Sequence, residues 1–298
     1  MKNSPDVSTP PATLPLPDIR VVSIAINLPG PACARRLAEF GASVIKVEPT
    51  AERGGDPMRH YAPSYYEELH QGIEVRALDL KASDDRQSLD ALLAHADLLL
   101  TSQRDGALHR LGLDWPQLSA RFPSLCQIAI VGSSGDDEAG HDLTYLAGAG
   151  LATPPQLPAT LVADLAGAER AVTAAFAVLR LRQQTGRGQR MVVALADAAV
   201  AFSGPFRHGL TSAGGMLAGS HPGYNFYRAR DGWVALAALE PHFAERVKTA
   251  SGVSFDKAAL AEFFRLNDIK HWTGWAAQHD IPLAVQPLTP PALADSST

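Results

Sequence analysis

Two short stretches of the chain hold residue types that can do chemistry. Gly140-His141-Asp142-Leu143-Thr144-Tyr145 and Val162-Ala163-Asp164-Leu165-Ala166-Gly167 place an imidazole and a carboxylate among small apolar residues, each introducing a helix-like segment. Such a pair can face a substrate from two sides, with the carboxylate serving as base or nucleophile. Backbone N–H groups and the dipole at a helix start can stabilise an oxyanion, as enolate or tetrahedral chemistry requires. The same dipole is expected to keep Asp164 ionised. Ala147, Gly148, Gly150, Ala166, Gly167 and Ala168 would let a ligand approach the backbone. Taken singly, each polar residue reads equally as ordinary structure. Asp142 is a favoured N-cap for the segment through Gly148, and Asp164 could merely accept the free N–H groups of an Ala-rich helix.

Competing motifs are few. The sequence holds no Walker A loop, H-E-x-x-H, G-x-S-x-G or Cys/His metal spacing, and Gly30-Pro31 reads as a βα turn rather than a G-x-G-x-x-G fingerprint. Cys33 and Cys126 are too far apart for a metal motif and read as small buried thiols. A formal net charge of −5 over 298 residues provides no overall basic surface, which argues against nucleic acid and anionic membranes as partners. The stretch Met1 to Asp18 carries five prolines and no long apolar run, so it reads as neither signal peptide nor membrane span, and a cytoplasmic location is expected.

The elements that must position these residues follow from pattern. Ile19 to Ile26 is a β-branched run ending in the Leu28-Pro29-Gly30-Pro31 turn, which predicts a buried strand. Ala32 to Phe40 repeats apolar Cys33, Leu37 and Phe40 at helical spacing before the Gly41 stop, and Ser43 to Glu48 is a second strand. Short turns joining strand, helix and strand imply a βαβ unit and hence a parallel sheet. Val75 to Leu80, Asp97 to Thr101 and Ser124 to Val131 continue the strands, with a helix near Ser88 to Ala94 and a long irregular loop over Ala51 to Gly72. Ala168 to Arg182 predicts a strong helix, and the apolar, Ala-rich Met191 to Val200 reads as packed deep in a core or a subunit interface. The expected fold class is therefore α/β, a Rossmann-like open parallel sheet with a second, smaller α+β domain. The expected division is a disordered Pro-rich leader over 1–17, a large domain over 18–202, a linker over 203–224, a small domain over 225–290 and a tail over 291–298. In the small domain, Asn225 to Leu236 reads as a hairpin turning at Asp231-Gly232, followed by helices over Glu240 to Ala250 and Phe255 to Leu266 and a strand over Leu283 to Leu288.

The order of motifs resembles the class III CoA-transferase family, also called CaiB/BaiF. The resemblance is carried by Ile19-Arg20-Val21-Val22, Leu28-Pro29-Gly30-Pro31, Leu37 to Glu48, Gly55-Asp56-Pro57, Leu78-Asp79-Leu80-Lys81, Gln103-Arg104-Asp105-Gly106 and Thr185-Gly186-Arg187-Gly188-Gln189, and it runs from Asp18 to Leu288. Within the family, Gly140 to Tyr145 is similar to the Gly-His-Asp-x-x-Tyr motif of the α-methylacyl-CoA racemase branch. That resemblance implies His141 and Asp164 as the two proton carriers, Glu240 of Glu240-Pro241-His242-Phe243 as support for the histidine from a partner subunit, and a homodimer. It implies a coenzyme A thioester as substrate, no tightly bound cofactor and no metal. Transferases of the family use the equivalent aspartate as a nucleophile that forms an acyl anhydride, and they do not need the histidine, so His141 favours the racemase reading. Ile73 and Glu74 stand where the family usually carries basic residues, and Pro49 or Thr50 where an arginine is usual. The CoA contacts are therefore expected from Lys46, Arg53, Arg59, Arg76, Arg104 and Tyr145. These departures, and an end soon after the small domain, also raise the reading of a non-catalytic paralogue that binds acyl-CoA or pairs with a homologous subunit.

Overall fold

The structure is a computed structural model and describes residues 14–134 and 139–288. The expected tail over 291–298 and most of the expected leader lie outside the described residues. The described part of the leader is packed: Leu16 is buried in the core and its N–H donates to the Phe40 carbonyl at 2.9 Å. The chain forms two compact units, one ending at Phe202 and one beginning at Ser203.

The first unit alternates strand and helix. Its elements run β1 (Arg20–Ser23), α1 (Pro29–Glu39), β2 (Ser43–Glu48), α2 (Met58–Tyr61), α3 (Pro63–Leu69), β3 (Glu74–Ala77), α4 (Ser83–Leu93), β4 (Leu98–Thr101), α5 (Asp105–Arg110), α6 (Trp115–Arg121), β5 (Cys126–Val131), α7 (Asp142–Gly148), α8 (Val162–Thr185), β6 (Arg190–Ala194) and α9 (Leu195–Phe202). All six strands are parallel in the order β3-β2-β1-β4-β5-β6. The inner strands β1, β4 and β5 are largely apolar and buried because both faces of the sheet are covered there. Alternation sends Val21, Val44, Leu98, Leu100 and Ile128 to the core beside α1 and α8, and Val22, Val47 and Leu99 to the core beside α4, α5 and α6. Gly30 lets α1 lie against the end of β1, where a Cβ would come 2.4 Å from the Ala25 Cβ. This is the strand order of doubly wound nucleotide-binding sheets, and the crossovers diverge between β1 and β4. Ligands of such sheets bind beyond the carboxyl ends of the strands at that divergence.

Several elements differ from expectation. The stretch expected as a long irregular loop after β2 folds into a short 3-10 turn (Ala51–Arg53), α2 and α3; Pro63 fits the first turn of α3, and Tyr66 and Leu69 anchor that helix in the core. Helix α8 starts earlier than Ala168, so Asp164 sits inside its first turn rather than ahead of it. The apolar stretch from Met191 to Val200 is packed only in part: Val193, Ala194, Leu195, Ala198 and Ala199 are buried, whereas Met191 is 40% and Val192 50% exposed on the edge strand Arg190–Ala194.

The second unit is α+β. It opens with the short α10 (Gly204–Arg207), so the stretch expected as a linker over 203–224 belongs to the unit itself. Strands β7 (Tyr224–Arg228) and β8 (Gly232–Ala237) are joined by β9 (Leu283–Pro287) in an antiparallel sheet of order β7-β8-β9, on which α11 (Pro241–Ser251), α12 (Lys257–Arg265) and α13 (Ile269–His279) assemble a core around Trp272, Phe264 and Val234. The hairpin turns at Arg230-Asp231, since Arg228 pairs with Trp233 and the Ala229 N–H donates to Gly232 O at 3.0 Å. Gly232 is needed for packing instead: a Cβ there would lie 2.5 Å from the Gln286 carbonyl oxygen.

Candidate functional site

At the divergence of the sheet the ends of β1 and β4 are stitched by side chains. Ser102 Oγ accepts from the Ile26 N–H at 3.0 Å, and Gln103 Nε2 donates to the Ile24 carbonyl at 2.7 Å. Next in the chain, Asn27 adopts a left-handed backbone at φ 64, and its N–H donates to Asp56 Oδ1 at 3.1 Å. This floor underlies a cavity of about 650 Å³ whose walls include Asn27, Gln103, Arg104, Arg110, Gly132, Gly140, His141, Tyr145 and Asp164. A second space of about 640 Å³ adjoins it, sharing Arg104, His141 and Tyr145 and adding Ser133, Ser134 and Arg190. Both volumes fall in the range of small-molecule and cofactor sites.

His141 is the exposed N-cap residue of α7, with its backbone held twice by Thr144: Oγ1 accepts the His141 N–H at 3.1 Å and donates to the His141 carbonyl at 2.8 Å. Asp164, in the first turn of α8, reaches the same cavity. Between them stands Asp142, only 4% exposed, whose Oδ1 accepts the Asp164 backbone N–H at 3.0 Å. Asp142 therefore satisfies an orphan donor of α8 rather than capping its own helix, and it ties the strand-to-helix segment of His141 to the helix of Asp164. The sequence contains the residue but no sign that its partner is a distant helix.

Burial decides the electrostatics of Asp164. Desolvation first, and the neighbouring Asp142 charge second, raise its pKa to about 6, with His141 acting in the opposite direction. The expected dipole stabilisation is outweighed because a partly enclosed carboxylate has lost much of its hydration. Tyr145 is likewise pushed up by burial and by the Asp164 charge, with Arg104 opposing. Its ring needs two glycines: a Cβ at Gly132 would stand 2.4 Å from the Tyr145 hydroxyl, and one at Gly140 2.5 Å from Cε1.

The structure divides the remaining expected contacts. Arg104 and Tyr145 line the cavity with His141 and Asp164. Lys46 does not: it is fully buried, and its Nζ lies 2.6 Å from the equally buried Asp56 Oδ2. A lysine without accessible surface cannot meet a phosphate, and its expected CoA contact is corrected to a structural ion pair. Arg59 binds Glu48 at 2.8 Å and lies 4.2 Å over the Tyr66 ring, Arg76 pairs with Glu74 at 2.6 Å, and Arg53 with Asp79 at 2.8 Å. These arginines are held by acidic neighbours at β2, β3 and the loop between them, and none of them is among the residues that wall either space. Glu240 is the exposed N-cap residue of α11 in the second unit. Among the described residues no group of His, Cys, Asp and Glu has the arrangement of a metal site, and no helix is long and apolar enough to cross a membrane. Cys33 and Cys126 are both buried, and burial pushes both thiols up.

Asp56 and Gln103 stand in motifs of the sequence that gave them no role, and Arg110 and Arg190 had none assigned. A lone arginine opening the apolar run Met191-Val192-Val193 is a faint signal, because an unneeded charge is rarely placed there.

Residues 16–278 match the family model described as CoA-transferase family III. A succinyl-CoA–D-citramalate CoA-transferase of Chloroflexus aurantiacus is 30% identical over 264 residues, covering 80% of this chain and 65% of that protein. An alpha-methylacyl-CoA racemase of Mus musculus is 32% identical over 247 residues, covering 76% of this chain and 61% of that protein. A CAIB/BAIF family protein from Brucella suis shares the fold with a TM-score of 0.77 at 24% identity, covering 93% of this chain and 84% of that one. The chain spans about three fifths of the length of the first curated relatives it matches.

Proposed function

The chain belongs to CoA-transferase family III, and from that premise we propose that it moves the α-proton of an acyl-CoA thioester between His141 and Asp164. The observation that carries this reading is that the two side chains wall one cavity at the carboxyl end of the sheet. A thioester carbonyl acidifies its α-carbon. One of the two groups removes that proton, leaving an enolate whose oxygen is held by backbone N–H groups, and the other delivers a proton to the opposite face, inverting the centre. A carboxyl group titrating near 6 suits the task, since both of its protonation states are accessible near neutral pH. No tightly bound cofactor is needed by this chemistry. In a homodimer, Glu240 of a second copy would orient His141.

A second reading rests on the same carboxylate. Asp164 attacks the thioester carbonyl, expelling CoA thiolate and forming an acyl anhydride. The thiolate then attacks the aspartyl carbonyl, releasing the donor as its free carboxylate and leaving an aspartyl-CoA thioester. From this thioester an acceptor carboxylate and the returning thiolate form the new acyl-CoA through a second anhydride and restore Asp164. It is supported by the similarity to the succinyl-CoA–D-citramalate CoA-transferase.

One experiment separates them. The protein is incubated with 2-methylacyl-CoA esters in deuterated water and with acyl-CoA plus free acids, and deuterium uptake and CoA exchange are followed by mass spectrometry. Uptake lost in both His141→Ala and Asp164→Asn supports proton transfer. Exchange that survives His141→Ala but not Asp164→Asn supports the transferase. Silence in both assays, with CoA binding retained, leaves an acyl-CoA-binding paralogue.

A further inference from the structure

Arg190 is the first residue of edge strand β6, paired in register with Gln127 of β5. Residues two apart on a strand share a face, and Arg190 and Val192 together line the space that adjoins His141. The strand is otherwise apolar, yet Arg190 is only 24% exposed. Among the described residues its one side-chain acceptor is Asp105 Oδ1, 2.8 Å from Nη2, on a carboxylate that is itself 70% exposed. A guanidinium offers five N–H donors in a planar fork. Here Nε is enclosed and meets no acceptor among the described residues. Charges held inside a protein are normally paired and hydrogen-bonded throughout, so a fork met by one solvated carboxylate is incomplete. Arg104 borders the same space, and the Ser133 and Ser134 residues add hydroxyl donors.

We propose that Arg190 anchors an oxyanion subsite beside His141, taking a phosphate or a carboxylate carried by the thioester substrate. The proposal rests on the acyl-CoA reading above. Planar, bidentate recognition of phosphate or carboxylate is what a fixed guanidinium does best, and the Asp105 bond holds the fork in place for it.

The test is calorimetric titration of wild type, Arg190→Gln, Arg190→Lys and Asp105→Asn with four probes: CoA, 3′-dephospho-CoA, succinyl-CoA and butyryl-CoA. Loss of one charge-assisted anchor is expected to raise Kd about 10-fold for Arg190→Gln, with partial rescue in Arg190→Lys. A loss for CoA that vanishes for dephospho-CoA identifies the 3′-phosphate, and an equal loss for both identifies the diphosphate. A loss confined to succinyl-CoA identifies a substrate carboxylate. Asp105→Asn removes the competing anion and is expected to tighten binding, which keeps the proposal open to test where the arginine variants fold poorly. If Arg190→Gln and Asp105→Asn both bind every probe within twofold of wild type, the subsite is overturned while the acyl-CoA reading stands. If wild type binds none of the four probes, the acyl-CoA reading falls and takes the subsite with it.

Discussion

Two polar clusters sit at the carboxyl edge of one parallel sheet, and they have opposite fates. At the end of β2, Lys46, Asp56, Glu48, Arg59 and Tyr66 satisfy one another: Lys46 and Asp56 are fully buried, Tyr66 donates to Glu48 at 2.9 Å, and Arg59 closes the outer side of Glu48. At the divergence of β1 and β4, His141, Asp164, Tyr145 and Arg104 instead line open space. The first cluster has more charge, and under the proposed function the second carries the chemistry, because reactivity needs a polar group that faces open space. The closed cluster still serves the open one: Asp56 Oδ1 accepts the N–H of Asn27, a wall residue of the cavity, and that of Met58, both at 3.1 Å.

The two clusters are expected to respond oppositely to mutation. The largest effect is expected at Asp164. Asp164→Asn should lower kcat by about 10³-fold or more, as loss of an essential acid–base or nucleophilic group does. The same variant should be more stable than wild type at high pH. A carboxyl whose pKa rises from 3.8 unfolded to about 6 folded binds more protons in the native state between those values, so stability falls as pH rises through that window. The relief in Asp164→Asn is expected to be full above pH 6, at most about 3 kcal/mol, and absent below the unfolded value, as thermal melts at pH 4 and pH 8 would report. A variant less stable than wild type at pH 8 would contradict a strained, open carboxylate.

Asp56→Ala should show the reverse pattern. It strands Lys46 in the interior and frees the Asn27 amide, at a cost of about 3–5 kcal/mol in denaturant unfolding. Replacing both partners with apolar residues should recover much of that loss, since the stranded charge dominates it. Recovery of fold without recovery of KM would show that Asp56 also positions the cavity floor.

Gly140→Ala and Gly132→Ala test the packing between the motif and its tyrosine. Each added methyl must displace the Tyr145 ring, with an expected cost of about 1–3 kcal/mol and a rise in KM. Global stability loss with unchanged kinetics would place Tyr145 outside the site.

The smallest effect is expected at Asp142→Asn, whose side-chain oxygen can still accept the Asp164 N–H. Removing the neighbouring negative charge should lower the pKa of Asp164, and the acidic limb of kcat/KM should move below pH 6. An unmoved limb would assign that titration to another group.

The sheet was legible because β-branched and leucine runs alternate with amphipathic helices at short spacing, and that pattern admits few topologies. The short helices α2 and α3 were not, because their windows are brief and rich in Tyr, Glu and Pro, and burial of Met58 in α2 and of Tyr66 and Leu69 in α3 gives them order. Helix α13 was also missed, since its one turn of deep packing, at Trp272, depends on the sheet beneath it. For the site, the types and order of His141, Asp164, Tyr145 and Arg104 could be read directly. Lys46 and Asp142 could not: a charged residue in a strand, or an aspartate at a helix start, looks the same whether its partner is a ligand or another part of the chain.

The amino-acid sequence by itself determined the family, the parallel α/β sheet and the residue types at the reactive motif, because period, turn chemistry and motif order are local properties. Tertiary structure alone decided which charges are spent on each other and which face the cavity, that Asp142 reaches across to α8, and that Asp164 holds its proton up to about pH 6. Those outcomes depend on desolvation and on distances between residues far apart in the chain, which are set only when the helices and strands come together.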